Sequence, residues 1–502
     1  MSEAAPIDVC VVGGGTAGWM AASMMAKFWA DQPVRLSVVE SPDIGIVGVG
    51  EGSTPSLKGF FDYLDIDEAE WMPACQATYK LGIRFVGWSR RPGFGSYFHP
   101  FPSDLDDRSA PAFYYHAFAR RNGVDLPAHP DRFFLNTLLA DQRRGPHADH
   151  NFPFRLAYGY HFDAQLIGRF LRGWATRRGV EHIEATVAEV ERGEDGDIQA
   201  LRCSDGRRIE ADFFVDSTGF RSLLLQRALG VRFLSFADNL FNDRAVVAQT
   251  PLDDPTAPPC ETRATALSAG WCWRIPLTAR SGNGYVYSSR FIEPEAAERE
   301  FRDHLGLDAD AGVRHLEMKV GRVESAWSNN CLAVGLSQGF VEPLEATALH
   351  VVQETVQRFL EAFEEGGRTA RLRERFNHQI NRRVEGIRDY IVCHYRASQR
   401  DDSEYWRACA GIEALSPSLR ELLGVWFAGG DLAEEIKRQQ IGAYYAPLSW
   451  HCLLGGYGVY PDPARLRSPE ARMQRFDLAR IDDFLARCAL NFRAHAEQLA
   501  HG

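Results

Sequence analysis

Asp8-Val9-Cys10-Val11-Val12-Gly13-Gly14-Gly15-Thr16-Ala17-Gly18 is the stretch on which the fold turns. A short apolar run ends in a glycine-rich turn, and Trp19-Met20-Ala21-Ala22 continues beyond it with helical character. Strand, tight turn and helix in that order are what a dinucleotide site requires. The glycines carry no side chain, so backbone N–H groups and a helix N-terminus can meet a pyrophosphate whose charge the helix dipole favours. Gly13, Gly15 and Gly18 are the candidate cofactor glycines, with Thr16 and Ala17 between them. Leu36-Ser37-Val38-Val39-Glu40 then reads as a second strand ending in an acid. Its distance from the last glycine suits a carboxylate that accepts hydrogen bonds from an adenosine ribose and repels the 2′-phosphate of NADP. A second fingerprint of this kind is not evident, so a nicotinamide reductant has no site of its own.

The 502-residue chain is 45% hydrophobic and 25% charged, ordinary globular composition with enough length for a large core. Its net charge of −11, without a block of lysines and arginines, argues against a nucleic-acid partner. No apolar run approaches the ~20 residues that span a bilayer, and a strand begins too early for an export signal, so the chain reads as cytoplasmic and away from membranes. The ten cysteines are scattered, with neither a C-x-x-C nor a Cys/His cluster at zinc spacing. They read as reduced, mostly buried thiols, and no metal site is expected.

Between about residues 60 and 150 aromatics, prolines and glycines crowd together, as in Gly93-Phe94-Gly95-Ser96-Tyr97-Phe98-His99-Pro100-Phe101-Pro102, and the region reads as irregular and pocket-lining. From Val180 to Ile209 two β-like runs flank the turn Glu194-Asp195-Gly196-Asp197, and Phe213-Phe214-Val215-Asp216-Ser217-Thr218-Gly219 reads as a buried strand ending at glycine. Residues 243–330 look mainly β. After Pro343 the pattern turns helical, with Val352, Val356, Phe359, Leu360 and Phe363 on one stripe and further helices over roughly 371–396, 403–414, 417–427 and 475–500.

Trp271-Cys272-Trp273-Arg274-Ile275-Pro276 predicts a strand with both tryptophans on one face and a proline ending the run. Such rings can wall a cavity; taken alone, they suit a packed core better, since buried aromatics usually pack rather than gate. The pattern W-x-W-x-I-P, far downstream of the glycine turn, resembles the signature of the flavin-dependent halogenases. Three further stretches carry the same resemblance. Val47-Gly48-Val49-Gly50-Glu51-Gly52-Ser53-Thr54-Pro55 is similar to that family's mobile loop over the flavin, with Val49 and Gly50 toward the cofactor; by itself it is also a plain turn. Tyr79-Lys80-Leu81-Gly82-Ile83-Arg84-Phe85 resembles its lysine motif, and Gly339-Phe340-Val341-Glu342-Pro343-Leu344-Glu345-Ala346-Thr347-Ala348 its P-L-E-S-T stretch.

The resemblance implies an α/β, FAD-binding Rossmann-type fold like the flavoprotein monooxygenases, with a mixed β substrate region and a helical C-terminal part. Residues 1–345 would form the flavin body and 346–502 the C-terminal region. It implies that FADH2 from a separate flavin reductase, oxygen and chloride or bromide yield hypohalous acid, which Lys80 and Glu345 deliver to an electron-rich aromatic, an indole or an indole derivative. Thr347 and Ala348 fall at the halide-binding corner, where Ala346 replaces the usual serine. Trp271 and Trp273 would separate flavin from substrate, and His99, Phe101 and Trp450 would line the substrate pocket. The stretch Tyr444-Tyr445-Ala446-Pro447-Leu448-Ser449-Trp450-His451 lacks the acid that clamps a free amino acid, so the substrate site is expected to be open to varied indoles. A homodimer is compatible with this reading. Two rivals remain: a flavin-dependent aromatic hydroxylase, which places substrate against the flavin, and a flavin-binding module without turnover.

Overall fold

The computed structural model describes residues 6–43, 48, 50–149, 151–308 and 310–501. Their contacts divide the chain into two compact units, each assembled from three segments. The first comprises Met1–Ala77, Phe162–Ala237 and Met318–Glu385, the second Thr78–His161, Asp238–Glu317 and Gly386–Gly502. The boundary read at residue 345 lies inside the third segment of the first unit.

The first unit is built on a six-stranded sheet in the order Trp327–Ser328, Cys331–Ala333, Phe213–Asp216, Ile7–Val12, Val34–Glu40, Glu181–Glu184. Its central pairings are parallel, with Val9 opposite both Leu36 and Phe213. A parallel strand covered on both faces needs an unbroken apolar run rather than alternation, which is why Val9 to Val12 are all buried. The helix Thr16–Phe28 follows the glycine turn and packs against Ala164–Thr176 and Ala348–Glu365. The stripe Val352, Val356, Phe359, Leu360 and Phe363 is buried as its period requires. The hairpin and returning strand also form as read: Val187–Arg192 pairs antiparallel with Ile198–Cys203, and Phe213–Asp216 lies beside the first strand.

The second unit carries a seven-stranded sheet in the order Arg314–Glu317, Arg244–Thr250, Ser281–Tyr287, Gly270–Pro276, Glu261–Leu267, Gly82–Val86, Ser96–Pro100. It is antiparallel except where Glu261–Leu267 meets Gly82–Val86. The helix Pro294–Leu305 covers one face, seating Phe301 among Val246, Tyr285 and Tyr287.

Two expectations need correction. The region from 60 to 150 is mostly ordered into short elements, among them the helices Ser56–Tyr63, Glu68–Ala74, Ala110–Arg121 and Leu135–Asp141. Its prolines and glycines punctuate these pieces rather than dissolve them; Pro111, for example, occupies a first-turn position where no intrahelical N–H is needed. The helix read over 475–500 is two, Leu478–Ala489 and His495–His501, separated by Phe492–Ala494. That short strand pairs with Arg144–Ala148 and buries Phe492, so tertiary pairing overrides the local period.

Candidate functional site

In the first unit each glycine of the turn has a distinct job. Gly13 has φ +111°, and a Cβ there would lie 2.2 Å from the Ser217 carbonyl oxygen. At Gly18 a Cβ would lie 1.9 Å from the Gly13 oxygen, so this glycine lets helix and strand close on each other. A Cβ at Gly15 would meet nothing within 4 Å. The helix that starts there has neither a side-chain cap nor an acid in its first turn, while the Thr16 hydroxyl donates to the Ala164 carbonyl at 2.9 Å. Thr16, Ala17 and Gly18 therefore begin a helix whose N-terminal end suits a pyrophosphate.

Glu40 closes its strand directly over Gly14, whose Cβ would fall 2.2 Å from the Glu40 carboxyl carbon. His182 Nε2 lies 3.0 Å from Glu40 Oε2 and an Arg172 nitrogen 3.6 Å from it. The His182 ring sits edge-on to Trp19 at 5.5 Å. The sequence reading missed His182 and Arg172, because nothing in their local pattern marks them; the parallel pairing of Glu181–Glu184 with Val34–Glu40 brings His182 there. Open glycine, bare helix start and oriented acid together fit an FAD. In the second glycine loop Gly50 is buried with φ +140°, whereas Val49 lies outside the described residues. Next to it, burial and the neighbouring Asp163 push the Glu51 carboxyl up to about 7.

The same unit holds the candidate halide corner. Glu345 ends the short 3₁₀ turn Pro343–Glu345 and is 5% exposed. Ala346 follows in the left-handed region at φ +54°, a conformation that turns the chain from Glu345 into the next helix. Thr347 precedes and Ala348 begins the helix Ala348–Glu365, again with no side-chain cap and no acid in the first turn. Gly335, at φ +61°, lets this helix approach the glycine turn, since its Cβ would lie 2.7 Å from the Ala17 Cβ and 3.9 Å from Val352 Cγ2. The glycine turn, Glu345, Thr347 and Ala348 thus share one packed body. His350, in the first turn of that helix, is pushed down to about 4 by burial and by Arg383.

Lys80, His99, Phe101, Trp271, Trp273 and Trp450 all belong to the second unit. Lys80 has no exposed surface, a rare setting for a lysine side chain. Its Nζ stands 5.5 Å from the centre of the Phe101 ring. Phe101 is fixed by its backbone: its N–H donates to the Leu81 carbonyl at 2.9 Å, and Asn136 Nδ2 donates to its carbonyl at 2.8 Å. His99, two residues earlier and buried, meets the Tyr390 ring edge-on at 6.3 Å. Tyr390 in turn stands edge-on to Trp450 at 4.8 Å and stacks on Tyr445 at 3.6 Å. Tyr390 therefore bridges the His99 and Trp450 rings, a contact that sequence does not show because Tyr390 comes from a distant helix, Arg373–Ala397.

Trp271 and Trp273 form a strand pair as predicted, their rings 6.0 Å apart. They are not equivalent. Trp271 is 1% exposed and lies 6.5 Å from Trp88, whereas Trp273 is partly exposed and spreads over Gly284, its cross-strand neighbour. Among the described residues no group of His, Cys, Asp and Glu is arranged to hold a metal, and no helix is long and apolar enough to cross a membrane.

Comparison with known proteins gives a consistent pattern. The sequence profile of the tryptophan halogenases matches residues 8–470. A tryptophan 6-halogenase of Streptomyces toxytricini is 37% identical, covering 96% of this chain and 95% of that protein. A tryptophan 7-halogenase of Lentzea aerocolonigenes is 34% identical over 92% of each. Among solved structures, the Streptomyces toxytricini tryptophan 6-halogenase superposes with a TM-score of 0.86 at 35% identity, covering 99% of this chain and 100% of that one. A flavin-dependent halogenase from Brevundimonas sp. BAL3 gives 0.82 at 32% identity, covering 99% of each. The α/β flavoprotein fold read from the glycine turn is the one these structures share.

Proposed function

The chain belongs to the tryptophan halogenase family of flavin-dependent enzymes, and from that premise we propose that it replaces a ring hydrogen of an indole by chlorine or bromine, using Lys80 and Glu345. Gly13, Gly15, Gly18 and Glu40 would hold the FAD. When bound in reduced form, the flavin supplies with oxygen the oxidation of halide to hypohalous acid. A separate flavin reductase provides the reduced cofactor, since the chain shows a single dinucleotide fingerprint. The N–H groups at Thr347 and Ala348 serve as the halide corner, where a helix start favours an anion.

Lys80 carries the reading. Its lack of exposed surface and its neighbour Phe101 support this reading: such a lysine would donate a hydrogen bond to hypohalous acid, or hold the halogen as a haloamine, away from water. The new carbon–halogen bond forms as the oxygen–halogen or nitrogen–halogen bond breaks. Glu345 accepts the proton that the ring loses on regaining aromaticity, a general-base role. Trp271 and Trp273 keep the organic substrate off the flavin, and His99, Phe101 and Trp450, with Tyr390, hold the indole plane. The relatives are named for tryptophan; without an acid in Tyr444–His451 to clamp the ammonium, this chain accepts substituted indoles as readily as the free amino acid.

The test is Lys80→Ala. Halogenated product should vanish while flavin binding and flavin oxidation continue; retained halogenation removes Lys80 from the chemistry.

A further inference from the structure

Behind Lys80 lies a buried imidazole that the halogenation chemistry leaves unused. His161 has no exposed surface and faces Thr78 in the antiparallel pairing of Thr78–Lys80 with Gly159–Phe162, where Lys80 faces Gly159. Both ring nitrogens are engaged, Nδ1 at 3.1 Å from Thr78 Oγ1 and Nε2 at 2.9 Å from Thr262 Oγ1. The Thr78 hydroxyl already donates its single hydrogen to the Pro276 carbonyl at 2.7 Å. Toward His161 it can only accept, so Nδ1 carries a proton. A neutral imidazole protonated there has a bare Nε2, which accepts from the Thr262 hydroxyl. The polarity of the whole chain, from Thr262 through His161 and Thr78 to Pro276, follows from that one carbonyl. Pro276 ends the strand of Trp271 and Trp273, so this chain ties the lysine strand to the tryptophan strand.

The alternative is an imidazolium that donates from both nitrogens. Burial opposes it, as does the charge of Lys80 on the partner strand; His495, on the C-terminal helix, adds repulsion only at acid pH, where it is charged too. His495 is itself pushed down to about 4 by burial; it is 2.9 Å from the Pro258 carbonyl and accepts the Tyr79 N–H at 3.2 Å. Glu261, the carboxylate preceding Thr262, is held by Arg84 at 3.0 Å.

We propose that His161 is a positioning residue for Lys80, locked as the neutral Nδ1–H tautomer so that it pins the lysine strand to Thr262 and Pro276 and leaves the positive charge of this corner on Lys80. The proposal rests on the reading of Lys80 as the halogen-delivering group.

Nitrogen NMR of the full chain labelled at histidine, with the His161 signals identified by their loss in His161→Gln, should show a protonated Nδ1 and a bare Nε2 near neutral pH. In Lys80→Met the loss of the adjacent cation should let His161 take up its second proton at higher pH than in the parent protein. An Nε2–H tautomer, an imidazolium near neutral pH, or a titration indifferent to Lys80→Met overturns the proposal. In turnover, His161→Phe should lower kcat for halogenated indole roughly tenfold or more, the order expected for a misplaced catalytic group, with KM little changed and His161→Gln restoring much of the loss. Should His161→Phe fail to fold, Thr262→Val removes the donor to Nε2 alone and should lower kcat in the same sense; parental kcat in the folded variant overturns the proposal. Halogenation surviving in Lys80→Met, with the tautomer as described, would instead refute the role of Lys80 itself.

Discussion

Alanine at Gly15 and at Gly18 should have opposite effects, although the two glycines lie three residues apart in one turn. Gly15 has φ −71° and ψ 178°, which any residue adopts, and its added methyl group meets no protein atom within 4 Å. Gly15→Ala should therefore change folding stability by no more than about 1 kcal/mol, and a small gain is expected from the stiffer unfolded chain. The same methyl would occupy the space a pyrophosphate needs to reach the helix N-terminus. Losing one or two charge-assisted hydrogen bonds costs about 1.5–3 kcal/mol each, roughly a 10- to 100-fold rise in the FAD Kd for one bond. At Gly18 the methyl falls 1.9 Å from the Gly13 oxygen, where ordinary contact begins at 3.4 Å, so helix or turn must move by more than 1 Å. Overpacking of this kind costs about 1–3 kcal/mol, and Gly18→Ala should unfold at lower temperature before any flavin is added. Flavin fluorescence titration and thermal unfolding of the apo-protein separate the two effects. Parental FAD binding by Gly15→Ala, or a lower stability of Gly15→Ala than of Gly18→Ala, would show that the two glycines do not divide the work this way.

Further outcomes follow from the other sites. Trp271→Ala should lose about 3–5 kcal/mol in denaturant titration because the ring is wholly buried, whereas Trp273→Ala should fold, bind FAD and change only the product mixture; equal destabilisation of both would make the pair simple core. Glu51, raised from 4.5 to about 7, favours the folded state while protonated, so its contribution is complete below pH 4.5 and lost as pH rises through 7. Apo Glu51→Gln should match the parent in melting temperature at acid pH and exceed it above pH 7; a gap of the reverse sign refutes the assignment. Ala346 holds a left-handed φ of +54°, and Ala346→Gly should gain up to about 1 kcal/mol in equilibrium unfolding by relieving it; a clear loss would show that the methyl group packs.

Most of the first unit was legible because its signals are local. The run Val9 to Val12, the glycine turn and Glu40 lie within one strand–helix–strand unit, whose chemistry is the same wherever it occurs. The stripe from Val352 to Phe363 was equally readable, since only one face of that helix is apolar. By contrast, Pro447–Gly456 is buried nearly all round, including Trp450, His451, Cys452, Leu453 and Leu454, so it offers no period to read. Leu432–Gln439 is short and lies next to that stretch, and it too was passed over. Among site residues, Lys80 and Glu345 stood out by motif, while His182, Tyr390 and His161 did not. Each of these acquires its partner through pairing or packing between distant segments: His182 through the parallel strand beside Glu40, Tyr390 through the ring of Tyr445, and His161 through Thr78 and Thr262. A single sequence carries no mark of such meetings.

Halogen transfer that depends on Lys80 is the heart of the proposed function. It is tested most directly by mass spectrometry of reactions containing the purified protein, FAD, a flavin reductase, NADH and bromide, with a panel of indoles that includes free tryptophan. Paired bromine isotopes are expected on at least one indole and should be absent from the Lys80→Ala reaction although NADH is still consumed. Oxygenated product without halogen, or bromination that persists without Lys80, would contradict it.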